Sequence, residues 1–144
     1  MDFFSSLDIS SSAMAAERTR INLISSNLAN ANSTRTAEGG PYKRKDAVFS
    51  ATPMAGSFSS ALDKASKGLS KVEITGVVED TSPPRVQYDP SHPDADSKGF
   101  VALPNVNVIE EMADMISATR TYEANVTVAQ AAKSMAMKTL ELGR

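Results

Sequence analysis

The sequence predicts a mainly α chain with a small β part: long N- and C-terminal helices paired as a coiled coil or bundle, and a short β-rich middle domain. Three observations predict it. The last forty residues carry apolar side chains in steps of three and four, the first thirty or so repeat a heptad, and the stretch between them holds only short β-branched runs among Gly and Pro breaks. The chain divides accordingly into an N-terminal helix (1–32), a loop and small β-rich outer region (33–104), and a C-terminal helix (105–144). Two long apolar stripes flanking so slight a body suit a subunit made for assembly better than a self-contained enzyme.

The C-terminal helix is the stronger prediction. Val108, Met112, Met115, Thr119, Tyr122, Val126, Ala129, Ala136 and Leu140 keep one face, with a single gap at Lys133, and Ile109, Ile116 and Met137 widen it. Asn107 can cap the first turn, with Glu110 three residues on as a capping-box partner. Glu110, Glu111 and Asp114 at the start and Lys133, Lys138 and Arg144 near the end complement the helix dipole. Gly143 supplies the stop. At 1.5 Å per residue the helix would run roughly 50 Å.

In the N-terminal helix, Leu7, Met14, Ile21 and Leu28 recur at heptad spacing. Ser10, Glu17, Ile24 and Ala31 hold the intermediate position, and Ile9, Ala13, Ala16 and Leu23 form a milder second strip. Ser5 with Asp8 makes a capping box. Asn27, Asn30 and Asn32 suit its end, because Asn tolerates the left-handed conformation. Both helices carry Ala and Ser on several faces, which lets neighbours approach closely in more than one layer.

In the middle, residues 33 to 46 have loop chemistry around Gly39-Gly40-Pro41 and Tyr42. Ala47-Val48-Phe49 reads as a short strand. Residues 50 to 70, rich in Ser, Ala and Gly, read as a flexible or weakly ordered insertion. Lys71 to Asp80 reads as a strand with a break near Gly76, Arg85 to Tyr88 as another behind Pro83 and Pro84, and Phe100 to Leu103 as a third stopped by Pro104. Together they make one small sheet at most.

Composition narrows the chemistry. The 144 residues carry a net charge of −2 and no cysteine, which leaves no wholesale attraction to nucleic acid or anionic membranes, no disulfide and no thiolate site. The start, Met1-Asp2-Phe3-Phe4, lacks the basic and apolar regions of a cleavable signal peptide. His92, the one histidine, stands among Asp89, Asp94 and Asp96, but the spacing fits neither a calcium loop nor a zinc motif. It reads as a Pro-stiffened turn with acidic caps, and nothing else in the chain calls for a metal, a cofactor or a catalytic group. Lys43-Arg44-Lys45 reads as a solvated strand edge. The glycosylation patterns at Asn32 and Asn125 read as coincidence, the second lying mid-helix. The seven methionines read as helix-core filling that adapts to unequal neighbours.

Specific motifs then add a resemblance. Ser25-Ser26-Asn27-Leu28-Ala29-Asn30-Ala31-Asn32 resembles the signature shared by axial proteins of the bacterial flagellum. So do Glu110-Glu111-Met112-Ala113-Asp114-Met115-Ile116-Ser117-Ala118-Thr119-Arg120-Thr121-Tyr122-Glu123-Ala124-Asn125 and the ending Leu140-Glu141-Leu142-Gly143-Arg144. The long loop Thr34 to Tyr42, and the turn Tyr88 to Asp96 followed by Gly99, Phe100 and Val101, are similar to the rod members of that family.

The resemblance implies a structural, non-catalytic subunit of the basal-body rod, the hollow drive shaft that transmits torque across the periplasm and through which flagellar subunits are exported. It implies export by the flagellar type III apparatus without a cleaved signal. The implied partners are the other rod proteins (FlgB, FlgF, FlgG and FliE), the rod-cap protein and the surrounding ring proteins. An alternative within the same reading is another rod or axial paralogue; outside it, a secreted coiled-coil adaptor that closes into a bundle.

From the stripes themselves, the expected assembly surface comprises Leu7, Met14, Ile21, Ile24 and Leu28 on one helix. On the other it comprises Met112, Met115, Ile116, Tyr122, Val126, Ala129, Met137 and Leu140. These meet within or between subunits, and a head-to-tail contact that does not close yields a filament. Asn27, Asn30, Asn32, Gly39, Gly40 and Tyr42 mark the loop expected to set the angle between the tube and its outer part.

Overall fold

The computed structural model describes residues 3–53 and 69–143. Along the chain run α1 (Phe3–Ala29), β1 (Lys45–Pro53), β2 (Ser70–Glu79), β3 (Arg85–Tyr88), β4 (Phe100–Leu103) and α2 (Val108–Leu142). The two helices pack antiparallel. The end of α1 meets the start of α2, where Asn27 touches Glu111, and Phe3 and Phe4 lie beside Ala136 and Leu140 at the other end. The β part is two separate two-stranded antiparallel hairpins, β1–β2 and β3–β4, not one sheet.

α2 fills 35 residues, and Asn107 caps it by accepting the Ile109 N–H. Glu110 makes no return bond to Asn107, so the cap is single. The final turn has no basic residue, and Gly143 ends the helix at φ −88, not in the left-handed region. α1 is already helical at Phe3, which puts Ser5 inside it and removes the Ser5–Asp8 capping box.

Small residues set the spacing between the helices. Ala118 and Ala132 of α2 are buried, as are Ser10 and Ile24 of α1. The intermediate heptad position is thus buried at Ser10 and Ile24 of α1, and at Ala31 just beyond its end, while Leu7, Met14, Ile21 and Leu28 flank this line half-buried. On α2 the inward line runs through Glu111, Met115, Ala118, Tyr122, Ala129, Ala132 and Ala136. It is rotated from the sequence stripe, so Val108 and Met112 stand out in solvent. Thr119, Thr121, Thr127 and Thr139 donate to the carbonyl four residues back, which satisfies these hydroxyls within the helix.

The β1–β2 hairpin lies along a second side of α1 and turns Val72 and Ile74 toward Ala16 and Thr19. The Val72 N–H donates to the Ser12 hydroxyl at 3.2 Å. β1 is longer than the Ala47–Phe49 core that the sequence suggests, taking in residues 50 to 53. The remainder of the expected flexible insertion, 54–68, lies outside the described residues. The expected break in β2 is a bulge: Val48 pairs with Gly76 but Phe49 with Ile74, which leaves Thr75 as the extra residue. Its hydroxyl donates to the Val48 carbonyl.

Candidate functional site: the junction of helices and hairpins

The three parts of the molecule meet at one buried polar cluster. Asn27, in the last turns of α1, is 1% exposed, and so is Glu111, in the first turn of α2. The Asn27 amide donates to the Glu111 carboxylate at 3.0 Å and to the Lys45 carbonyl at 2.9 Å. Its carbonyl oxygen accepts the Lys45 N–H at 3.0 Å and the Tyr42 hydroxyl at 2.9 Å. One side chain therefore ties the end of α1 to the first residue of β1, to the preceding loop and to α2. A buried amide with both ends satisfied is strongly oriented, because any rotation would leave donors or acceptors unpaired.

Arg44 closes the cluster. Its Nε donates to the other Glu111 oxygen, one terminal nitrogen lies 3.2 Å from Asp46, and the other lies 3.9 Å from Asp114. Asp114 also lies 3.7 Å from Arg20 of α1. Burial pulls the Arg44 guanidinium down, but the hydrogen bond and charge of Glu111, then those of Asp46, outweigh it and hold the group above its ordinary value. Arg44 stays cationic at any accessible pH. The sequence reading of Lys43-Arg44-Lys45 as a solvated edge is corrected here. Lys43 is exposed, whereas Arg44 folds onto a buried carboxylate and Lys45 pairs with Glu79 at 3.3 Å. The signal available in the sequence was Glu111, a carboxylate one turn ahead of Met115 on the line that α2 buries.

The Asn-rich end of α1 works through side-chain bonds rather than backbone freedom. Among the described residues only Gly39, Gly40 and Gly99 have positive φ. Asn30 donates to the Ser26 carbonyl and accepts from Ser33, which closes the helix, while Asn32 faces solvent. Gly39 and Gly40, at φ 88 and 80, turn the loop so that Thr36 and Tyr42 can bond back to Gly40 and Ser33.

The turn of β3–β4 docks on this loop. Asp94 accepts the Thr34 hydroxyl at 2.8 Å and pairs with Arg35 at 2.8 Å. Asp89 and Asp96 are spent on the backbone of the turn, at Ser91 and at Lys98 and Phe100. His92 accepts the Asp94 N–H. Hydrogen bonds from Ser91, against slight desolvation, hold the Asp89 carboxyl below its ordinary value.

The expected assembly residues divide in two. Ile24 is buried and Leu7, Met14, Ile21, Leu28, Met115, Tyr122, Val126 and Ala129 are half-buried between the helices or beside them. Met112, Ile116, Met137 and Leu140 are more than half exposed, as are Ile109 and Met135.

Residues 7–35 match the family described as flagella basal body rod protein, and residues 97–142 match the C-terminal family of the flagellar basal body rod proteins FlgEFG. The flagellar basal-body rod protein FlgC of Borreliella burgdorferi is 43% identical over 142 residues, covering 94% of this chain and 93% of that one. The chain belongs to the FlgC family of flagellar basal-body rod proteins. FlgC of Bacillus subtilis strain 168 is 43% identical with both chains covered in full, and FlgC of Escherichia coli O6:H1 is 42% identical over 95% of each. Like its FlgC relatives, this chain is a structural subunit of the flagellar basal-body rod, in a family of structural proteins and not of enzymes. The junction just described joins the two matched segments, since Asn27 lies in one and Glu111 in the other.

Proposed function

We propose that this FlgC-family subunit builds the rod through its terminal helices. Residues 1–32 and 105–144 form an axial layer around the channel for exported subunits, paired as a coiled coil within a larger bundle. Residues 33–104 lie outside it. Copies of this chain and the other rod proteins (FlgB, FlgF, FlgG and FliE), the rod cap and the surrounding rings are its partners. The assembled shaft spans the periplasm and transmits torque, and the subunit reaches it by type III export with no cleaved signal.

The observation that carries this reading is the apolar surface left over once α1 and α2 have packed. Ile109 is 79% exposed, Leu140 70% and Leu142 89%. The excess lies along α2, on both flanks of the α1 contact. Apolar surface left exposed near both ends of α2 on a rod subunit is surface for its neighbours. The junction cluster supports the division of labour, because it holds the hairpins at one set angle to the helices.

Sedimentation of the chain over a wide concentration range, alone and mixed with other rod proteins, tests the proposal. The expected result is a mass that keeps growing with concentration. A single closed oligomer of fixed mass would favour the closed-bundle adaptor instead.

A further inference from the structure

His92, the one histidine of the chain, sits where the β3–β4 turn docks on the loop after α1. Its ring Nδ1 accepts the Asp94 N–H at 3.1 Å. An imidazole nitrogen accepts a hydrogen bond only while it carries no proton, so this bond belongs to the neutral ring with its proton on Nε2. The backbone holds the ring in place. The His92 N–H donates to the Asp89 carbonyl, the His92 carbonyl accepts from Ala95, and Pro93 stiffens the step between His92 and Asp94.

The residue whose N–H the ring holds is also the docking residue. The two oxygens of the Asp94 carboxylate divide between Arg35 and the Thr34 hydroxyl, each at 2.8 Å. Among the described residues, every hydrogen bond or ion pair between this turn and that loop runs through Asp94. The loop continues into the Asn27 cluster through Tyr42, while β4 continues through Pro104 into α2. Asp94 therefore decides whether the hairpin is tied to the α1 side as well as to α2.

We infer that His92 is a proton-operated release for the β3–β4 hairpin: the neutral ring holds Asp94 against Thr34 and Arg35, and the protonated ring frees the turn from the loop. The inference goes beyond the rod-subunit reading and does not depend on it. Three consequences of one proton act in the same direction. A protonated Nδ1 is a donor, so the Asp94 N–H loses its acceptor and faces a second N–H. The imidazolium is a new cation beside the Asp94 carboxylate, a rival to Arg35 and Thr34 for its oxygens. It also sets a like charge near Arg35. The other charged groups of the turn do not reverse the effect. Asp89 attracts the imidazolium but is bound to the Ser91 hydroxyl and N–H, so its pull keeps the ring in the turn and not on the loop. Asp96 is spent on the N–H groups of Lys98 and Phe100. Histidine is the side-chain type that changes charge between about pH 5 and 8. The release thus operates in mild acid, while the Asp89 carboxylate is still ionised and its corner with Ser91 intact.

An NMR titration of the isotope-labelled full chain, from about pH 8 to about pH 5, tests this. The His92 ring shifts report the proton. Cross-relaxation between the Thr34 and Asp94 side chains reports the docking, as does exchange protection of the Asp94 N–H, corrected for the intrinsic effect of pH. In the native chain both should fall severalfold along the same curve as the ring shifts. His92→Asn places a side-chain oxygen that takes up no proton near the position of Nδ1, and should keep the contact throughout. A Thr34–Asp94 contact that stays constant while the ring titrates overturns the inference. So does a ring that takes up no proton in this range, or a His92→Asn chain that loses the contact in parallel with the native one. The native chain alone decides the matter if His92→Asn does not fold, and each of these results leaves the rod reading standing.

Discussion

Arg44→Ala should destabilise this chain more than Glu111→Ala, and the asymmetry follows from burial. Removing Arg44 strands the Glu111 carboxylate, 1% exposed, with the Asn27 amide as its remaining partner. Stranding one member of a buried ion pair costs about 3–5 kcal/mol. Removing Glu111 strands Arg44, whose side chain is 26% exposed and can still reach Asp46 and Asp114. Its guanidinium is partly hydrated, so the loss is closer to two charge-assisted hydrogen bonds discounted for solvent, about 2 kcal/mol. The double substitution should cost less than the sum of the two, because it leaves no orphan charge. Urea unfolding measures this, followed by circular dichroism and by tyrosine emission, with Tyr42 inside the cluster as a local probe. With a slope of about 2 kcal/mol/M, Arg44→Ala should lower the midpoint by about 1.5–2.5 M and Glu111→Ala by about 1 M. Equal shifts, or a larger shift for Glu111→Ala, would refute the assignment of Glu111 as the buried, dependent partner.

Gly99→Ala should cost more than Gly39→Ala, since both need positive φ, worth about 1–2 kcal/mol for a residue with a Cβ, and only Gly99 adds contacts with Tyr88 and Pro90. Hydrogen exchange in β3 and β4 should speed up for the first variant alone. Asn107→Ala should lower stability by about 1 kcal/mol through loss of the one side-chain cap of α2, read as faster exchange at Ile109. Asp80 and Asp89 are held below their ordinary value by hydrogen bonds from Ser82 and Ser91, respectively. A depressed carboxyl contributes stability above its unfolded value that is lost as the pH falls through the folded one, so both turns should loosen only below about pH 4. Carbon-detected NMR titration should show Asp89→Asn removing that acid limb from its own turn and leaving the limb at Asp80 in place.

The helices and hairpin strands were legible because their signals are local. Periodicity marks α1 and α2, Pro83, Pro84 and Pro104 bracket β3 and β4, and Asn107 announces its own cap. The rotation of the buried line on α2 was not legible. Helix packing selects Ala118 and Ala132 because small side chains permit close approach, and a count of apolar residues passes them over in favour of Val108 and Met112. The junction was half legible. Asn27 and Tyr42 stood out by motif, but their role did not, because hydrogen bonding replaced the backbone freedom expected of Asn. Arg44 and Glu111 are 67 positions apart, and no local pattern links a basic triplet to a helix-start carboxylate. The two sheets in place of one follow from the turn at Asp94, which draws β3–β4 to the loop after α1 and away from β2.

Hydrogen exchange along α2, compared between the dilute free chain and the rod in intact basal bodies, bears most directly on the idea that these helices are completed by their neighbours. The account predicts rapid exchange beyond Tyr122 in the free chain, where α1 alone covers the helix, and strong protection of the same amides in the rod. Equal protection of those amides in both would contradict it.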